Sequence, residues 1–96
     1  MLSAGTRKEK VRILRASTVK LTVELEKGDN PEVAICFDGE GLELLMSKLE
    51  WLRKRVDHMH LMTPAWAGRE LTQEKFGGDK YDIVNSLRLV SLPKSK

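Results

Sequence analysis

The sequence predicts an α+β domain: a four-stranded antiparallel sheet with one helix packed on one face, in the order β-β-α-β-β. Three observations carry this. Residues 19–26 alternate without a fault, with Val19, Leu21, Val23 and Leu25 on one side and Lys20, Thr22, Glu24 and Glu26 on the other. Apolar residues over 42–56 recur at every third or fourth position, the spacing of one helix face. Two more alternating runs, at 58–63 and 83–92, follow that helix.

The first strand ends at Lys27-Gly28-Asp29-Asn30-Pro31, a run of turn formers, and residues 32–38 resume an extended pattern with Val33, Ile35 and Phe37 on one face. The pair reads as an antiparallel hairpin. An additional strand at residues 11–15, with Val11, Ile13 and Arg15 on one side, would make the sheet five-stranded. Asp38 or a neighbour should cap the helix. Leu42, Leu45, Met46, Leu49, Leu52 and Val56 form its inward stripe, and Lys54 and Arg55 close it against the negative helix end. Leu44 and Trp51 lie off this stripe and share an outer face. Either they are scattered surface apolars, or the N-terminal arm folds over them, or they are a second interface, where a partner or another copy docks. Residues 58–63 place Met59 and Leu61 toward the helix, and His58 and His60 on the opposite face of the sheet, open to water or a partner. Pro64 stops that strand and Pro93 stops the last. Residues 64–81 form a long irregular connection, of the kind that is functional or mobile.

Ninety-six residues make one domain, with a core small enough that a homodimer interface would help it. We divide it into a basic, frayed arm (1–15), a folded core (16–92) and a short tail (93–96). No apolar run approaches the length of a membrane span, and the N-terminus lacks the apolar stretch of a secretory leader. Cys36 stands alone in an apolar segment, which fits a buried thiol and a reducing cytoplasm. The net charge of +3 is unevenly spread. Residues 1–15 hold five basic groups against Glu9, whereas residues 16–96 hold 12 basic and 13 acidic groups. Such an arm can meet phosphates non-specifically. It contains no aromatic for base stacking, so a solvated terminus is the better reading and nucleic acid is not the expected partner.

Catalytic constellations are incomplete. His58 and His60 share a strand face and two imidazoles can hold a metal, but zinc needs further ligands. Glu70, Asp57 and Cys36 are the candidates, and nothing in their spacing gathers them, so no metal or other cofactor is assigned. A nucleophilic site would require Cys36 beside these histidines on an adjacent strand. A small enzyme using His58 and His60 therefore stands as the alternative to a binding protein. The segment His58-Met59-His60-Leu61-Met62-Thr63-Pro64-Ala65-Trp66-Ala67-Gly68-Arg69-Glu70-Leu71 is the stronger feature. It sets Trp66, Arg69 and Glu70 on a bracketed loop, which is recognition chemistry unless Trp66 folds back to plug the core.

That segment, with Gly39-Glu40-Gly41-Leu42 opening the helix, resembles the bacterial polymorphic-toxin immunity family catalogued as immunity protein 32. The likeness spans residues 19–92, and its most specific part is the fourteen-residue loop. Ala67 stands where the resemblance leads one to expect glycine. The resemblance implies a non-catalytic cytoplasmic protein that neutralises a cognate toxin by binding it. On that reading His58, His60, Trp66, Arg69 and Glu70 are the partner-contacting residues.

Overall fold

The computed structural model describes residues 19–94, so the strand expected at residues 11–15 lies outside the described residues. The elements are β1 (Leu21–Glu26), β2 (Val33–Phe37), α1 (Gly39–Leu52), β3 (His58–Met62), a 3₁₀ turn (Pro64–Trp66), β4 (Tyr81–Ile83) and β5 (Ser86–Val90). Among the described residues the class is α+β, with one α-helix and antiparallel pairing. The expected single four-stranded sheet is replaced by two: a three-stranded sheet in the order β2-β1-β4 and a two-stranded sheet β3-β5.

The division comes from the last apolar run. The alternation of residues 83–92 predicts one strand, but the chain breaks at Val84-Asn85. β4 pairs with β1, and β5 pairs with β3. Asn85 makes the break. Its carbonyl accepts the Thr63 N–H at 3.0 Å, and the Thr63 hydroxyl donates to its side-chain oxygen at 2.7 Å. The preceding Val84 N–H still donates to Val23 of the first sheet. One segment thus passes from one sheet to the other across a single residue, as at the corners of orthogonally packed sheets.

The hairpin forms as its alternation predicts. Leu21, Val23 and Leu25 stand opposite Phe37, Ile35 and Val33 on one face, while Thr22 and Glu24 stand opposite Cys36 and Ala34 on the other. Leu21 and Val23 join Leu61 and Leu71 in the buried core, with Leu44, Leu45, Met59, Val84, Leu87 and Leu89 packed against them. On β4, Tyr81 donates its hydroxyl to Glu32 at 2.8 Å, tying β4 to the start of β2 across β1. That bond, reinforced by partial desolvation and the charges of Glu32 and Glu26, pushes the phenol up to about 12. A group raised in the folded state stabilises it below the ordinary pKa of 10.0, and that contribution disappears as pH rises through 12. Tyr81 is the sole tyrosine. An ultraviolet titration should therefore show one phenol ionising near pH 12, and Glu32→Gln should return it toward 10.0.

The helix begins where expected and faces a different way. Asp38 is the N-cap, its Oδ1 accepting the Gly41 N–H at 2.8 Å. That bond, opposed by modest desolvation and aided by Lys20, holds the Asp38 carboxyl below its usual range. The C-terminus falls at Leu52 instead of Val56. The Arg53 and Arg55 N–H groups turn back to Glu50 and Leu52 in tight three-residue bonds, leaving Val56 exposed before β3. The inward stripe is Gly41, Leu44, Leu45, Lys48 and Leu52, whereas Met46 and Leu49 of the expected stripe are 53% and 47% exposed. At 100° per residue the helix is rolled by roughly 80° from the face its apolar residues mark out. Gly41 is the cause. A Cβ there would lie 1.9 Å from the Lys20 carbonyl oxygen and 3.1 Å from Phe37 Cβ. The helix backbone rests directly on the start of β1, which turns Leu44 inward.

The second face of the larger sheet was expected to be open, but the connection before β4 covers it. Glu24 has no exposed surface there. Its carboxylate accepts the Thr22 hydroxyl at 2.6 Å and the Phe76 and Gly77 N–H groups at 2.9 and 2.8 Å. Burial opposes its ionisation, yet these bonds, with the Cys36 thiol beside them, hold its pKa below the ordinary carboxylate value. Part of the long connection is therefore structural, sealing a charged group against the sheet.

Candidate protein-binding site

The turn after β3 is built by bonds internal to residues 62–71. The Trp66 and Gly68 N–H groups both donate to the Thr63 carbonyl at 2.9 Å, Ala67 N–H donates to Pro64 at 2.9 Å, and Leu71 N–H returns to Met62 at 3.1 Å. Proline at the first 3₁₀ position suits the missing N–H. Thr63 is fully buried and bolted to Asn85. Gly68 sits so close to β3 that a Cβ would lie 2.3 Å from the Met62 carbonyl oxygen. Ala67 occupies the left-handed region, φ 66° and ψ 24°. Such a residue costs about 1–2 kcal/mol relative to right-handed backbone, and glycine there gives back about 0.5–1 kcal/mol in unfolded-chain entropy. Ala67→Gly should therefore raise stability by about 0.5–1 kcal/mol, read as a higher urea midpoint.

This scaffold presents Trp66 outward at 56% exposure, so the indole does not plug the core. Arg69 is exposed beside it in sequence. Glu70 departs from the expected role of a partner contact. It is partly buried, and its Oε1 accepts the Met62 N–H at 3.1 Å and the Arg69 N–H at 3.4 Å. Desolvation opposes its charge, but the backbone donors of Met62, Glu70 and Arg69 and the nearby Lys48 lower its pKa. Glu70 positions the loop by satisfying the edge of β3.

His58 and His60 lie exposed on the outer face of β3, as their alternation with Met59 and Leu61 predicts. Their rings meet edge to face with centroids 5.4 Å apart. Asp57 Oδ1 accepts the His58 N–H at 2.8 Å and lies 3.7 Å from His58 Nδ1. Across the ladder Val90 faces His58 and Arg88 faces His60. Both extend the same surface; they were missed by sequence reasoning although the alternation of 86–90 carries the signal. Among the described residues no ring contact joins Trp66 to either histidine, so the structure shows two neighbouring features on one strand-and-turn unit, not one cluster.

The other candidates separate. Cys36 belongs to β2, whose ladder partner is β1, while His58 and His60 belong to the other sheet. The adjacent-strand condition for a Cys–His pair is not met. Among the described residues no three metal-ligating side chains come together. Leu44, expected on the outer helix face with Trp51, packs against the core and lines a groove with Val19, Pro64, Arg69 and Thr72. The same roll that buried it leaves Trp51 exposed and alone, capped by the Arg55 guanidinium 4.1 Å from the ring centroid. The two do not make a common interface. No helix among the described residues is long and apolar enough to cross a membrane. Comparisons with protein-family models, curated proteins and solved structures return no match for this chain.

Proposed function

We propose that this chain is a non-catalytic, cytoplasmic protein-binding domain of the toxin-neutralising immunity type, contacting its target through the Trp66 turn and the His58/His60 face. One observation carries the reading: a large aromatic is held out in solvent by a turn closed by several backbone hydrogen bonds and anchored through Thr63 to Asn85. A rigid, exposed tryptophan loses little freedom on binding and fills a partner's pocket, which is how interface anchors act. Arg69 on the same turn, and Arg88 with the two histidines on the β3–β5 face, supply polar contacts. The resemblance of the loop to the immunity family supplies the class of partner, a cognate toxin.

The test is to purify the product of a toxin-like reading frame adjacent to this gene and measure its binding by calorimetry; no adjacent toxin-like frame would count against the reading. Trp66→Ala should weaken affinity by about 2 kcal/mol or more, roughly thirtyfold, while shifting unfolding by less than about 1 kcal/mol. Unchanged affinity with a folded variant would remove Trp66 from the contact. Glu70 is unsuitable for this test, since its replacement loosens the loop itself.

A further inference from the structure

The turn after the helix and the exit of β5 form a groove of about 460 Å³ that the proposed contact does not use. Two short pieces of chain make it. Beyond Leu52 the Arg53 and Arg55 N–H groups bond back to Glu50 and Leu52, and this tight turn sets Arg53, Lys54 and Arg55 in succession along the groove. The Ser91 N–H donates to the Asp57 carbonyl at 2.8 Å, which brings Leu92 and Lys94 beside that turn. The β3–β5 ladder ends at the pair of His58 and Val90, so the groove opens next to the His58 end of the proposed contact.

The groove combines cations with apolar side chains. Arg53, Lys54, Arg55 and Lys94 line it, and no carboxylate does. Arg53 is paired with Glu50 at 2.9 Å, and Arg55 lies over the Trp51 ring. Lys54 and Lys94 have no ion pair among the described residues. Val56 and Leu92 are 69% and 76% exposed, the most exposed large apolar side chains among the described residues. Together these groups suit a ligand that is both acidic and apolar. Charge narrows the occupant further. Residues 1–18 carry five basic groups against Glu9, the wrong sign for this surface. A nucleic acid has the right sign, but its bases call for an aromatic platform, and no aromatic lines the groove. We infer that the groove takes an acidic segment of a partner protein. An apolar side chain of that segment sits against Val56 and Leu92, and flanking carboxylates meet Lys54 and Lys94. The inference rests on the proposed function only for the source of the segment, the target protein.

The test is an NMR titration of the full chain at low salt with a synthetic glutamate peptide that has one central leucine. The amides of Lys54, Arg55, Val56, Ser91 and Leu92 should shift together. Lys54→Glu combined with Lys94→Glu should weaken binding roughly tenfold or more, and added salt should narrow that gap. Serine in place of the peptide's leucine should weaken it roughly tenfold as well. No shift at these amides, unchanged affinity of the charge-reversed variant, or equal affinity for the two peptides would overturn the inference. Tighter binding of a single-stranded oligonucleotide or of phosphatidylserine vesicles at the same amides would also overturn it, in favour of that ligand. Shifts there that grow with protein concentration, without peptide, would assign the groove to a second copy and overturn it too. Trp66→Ala should leave the peptide titration unchanged, so failure here is separable from failure of the Trp66 contact.

Discussion

Gly41→Ala should destabilise the domain by about 2–4 kcal/mol, although alanine is the better helix former by about 1 kcal/mol. The sign is set by space. The added Cβ would lie 1.9 Å from the Lys20 carbonyl oxygen, a backbone atom that cannot swing aside. Either the helix lifts, opening the Leu44 and Leu45 contacts with the core, or β1 shifts and loses the Lys20–Asp38 bonds. Overpacking of this kind costs about 1–3 kcal/mol, and more where backbone must move. Gly39 is the control. It is in the same helix with nothing within 4 Å of its added Cβ, so Gly39→Ala should be neutral or stabilising by up to about 1 kcal/mol. Denaturant midpoints of the two variants should move in opposite directions. A Gly41→Ala midpoint at or above the wild type would show that the helix does not rest on β1 as described.

Glu24→Gln should cost about 2–3 kcal/mol at neutral pH, from losing charge-assisted bonds and aiming an amide NH₂ at a backbone N–H. The side chain keeps its volume, so cavity formation does not contribute. The pH dependence follows from the lowered pKa. A carboxyl depressed in the folded state adds stability in full above its unfolded value, near 4.5, and loses it as pH falls through the lower native value. The gap between wild type and variant should be widest above about pH 4.5 and should close in acid. Asp38 and Glu70 contribute in the same direction, so the comparison is made between the two proteins at each pH, by urea unfolding. Parallel curves across the acid range would mean that Glu24 is not held ionised by the Phe76-Gly77 backbone.

Much of the fold was legible because it rests on local periodicity. The alternation of residues 19–26 and 58–62 placed Leu21, Val23 and Leu61 in the core and His58 and His60 outside it, and Asp38 was readable as a cap. The roll of the helix was not. Its apolar residues define a face by hydrophobicity, but Gly41 defines another by close approach, and steric access outweighs the exposure of Met46 and Leu49. The division into two sheets was equally hidden, since Asn85 breaks an apolar run only because Thr63, 22 residues away in the chain, is there to receive it. At the candidate site, the exposure of Trp66 was legible from its place on a bracketed loop. The structural role of Glu70 was hidden for a physical reason: a carboxylate near a strand edge is as well suited to a backbone N–H as to a partner, and only the fold shows that it meets the Met62 N–H.

The Asn85 joint has a consequence for how this domain comes apart. A strand segment shared by two sheets allows neither to melt alone. Releasing β5 frees Asn85, which slackens Val84 against Val23, and releasing β4 does the reverse. The turn carrying Trp66 hangs from the same joint through Thr63. Amide exchange should therefore show Thr63, which anchors the Trp66 turn, opening together with the two sheets. The exposed Trp66 turn is then expected to be kept or lost in one cooperative transition with the whole.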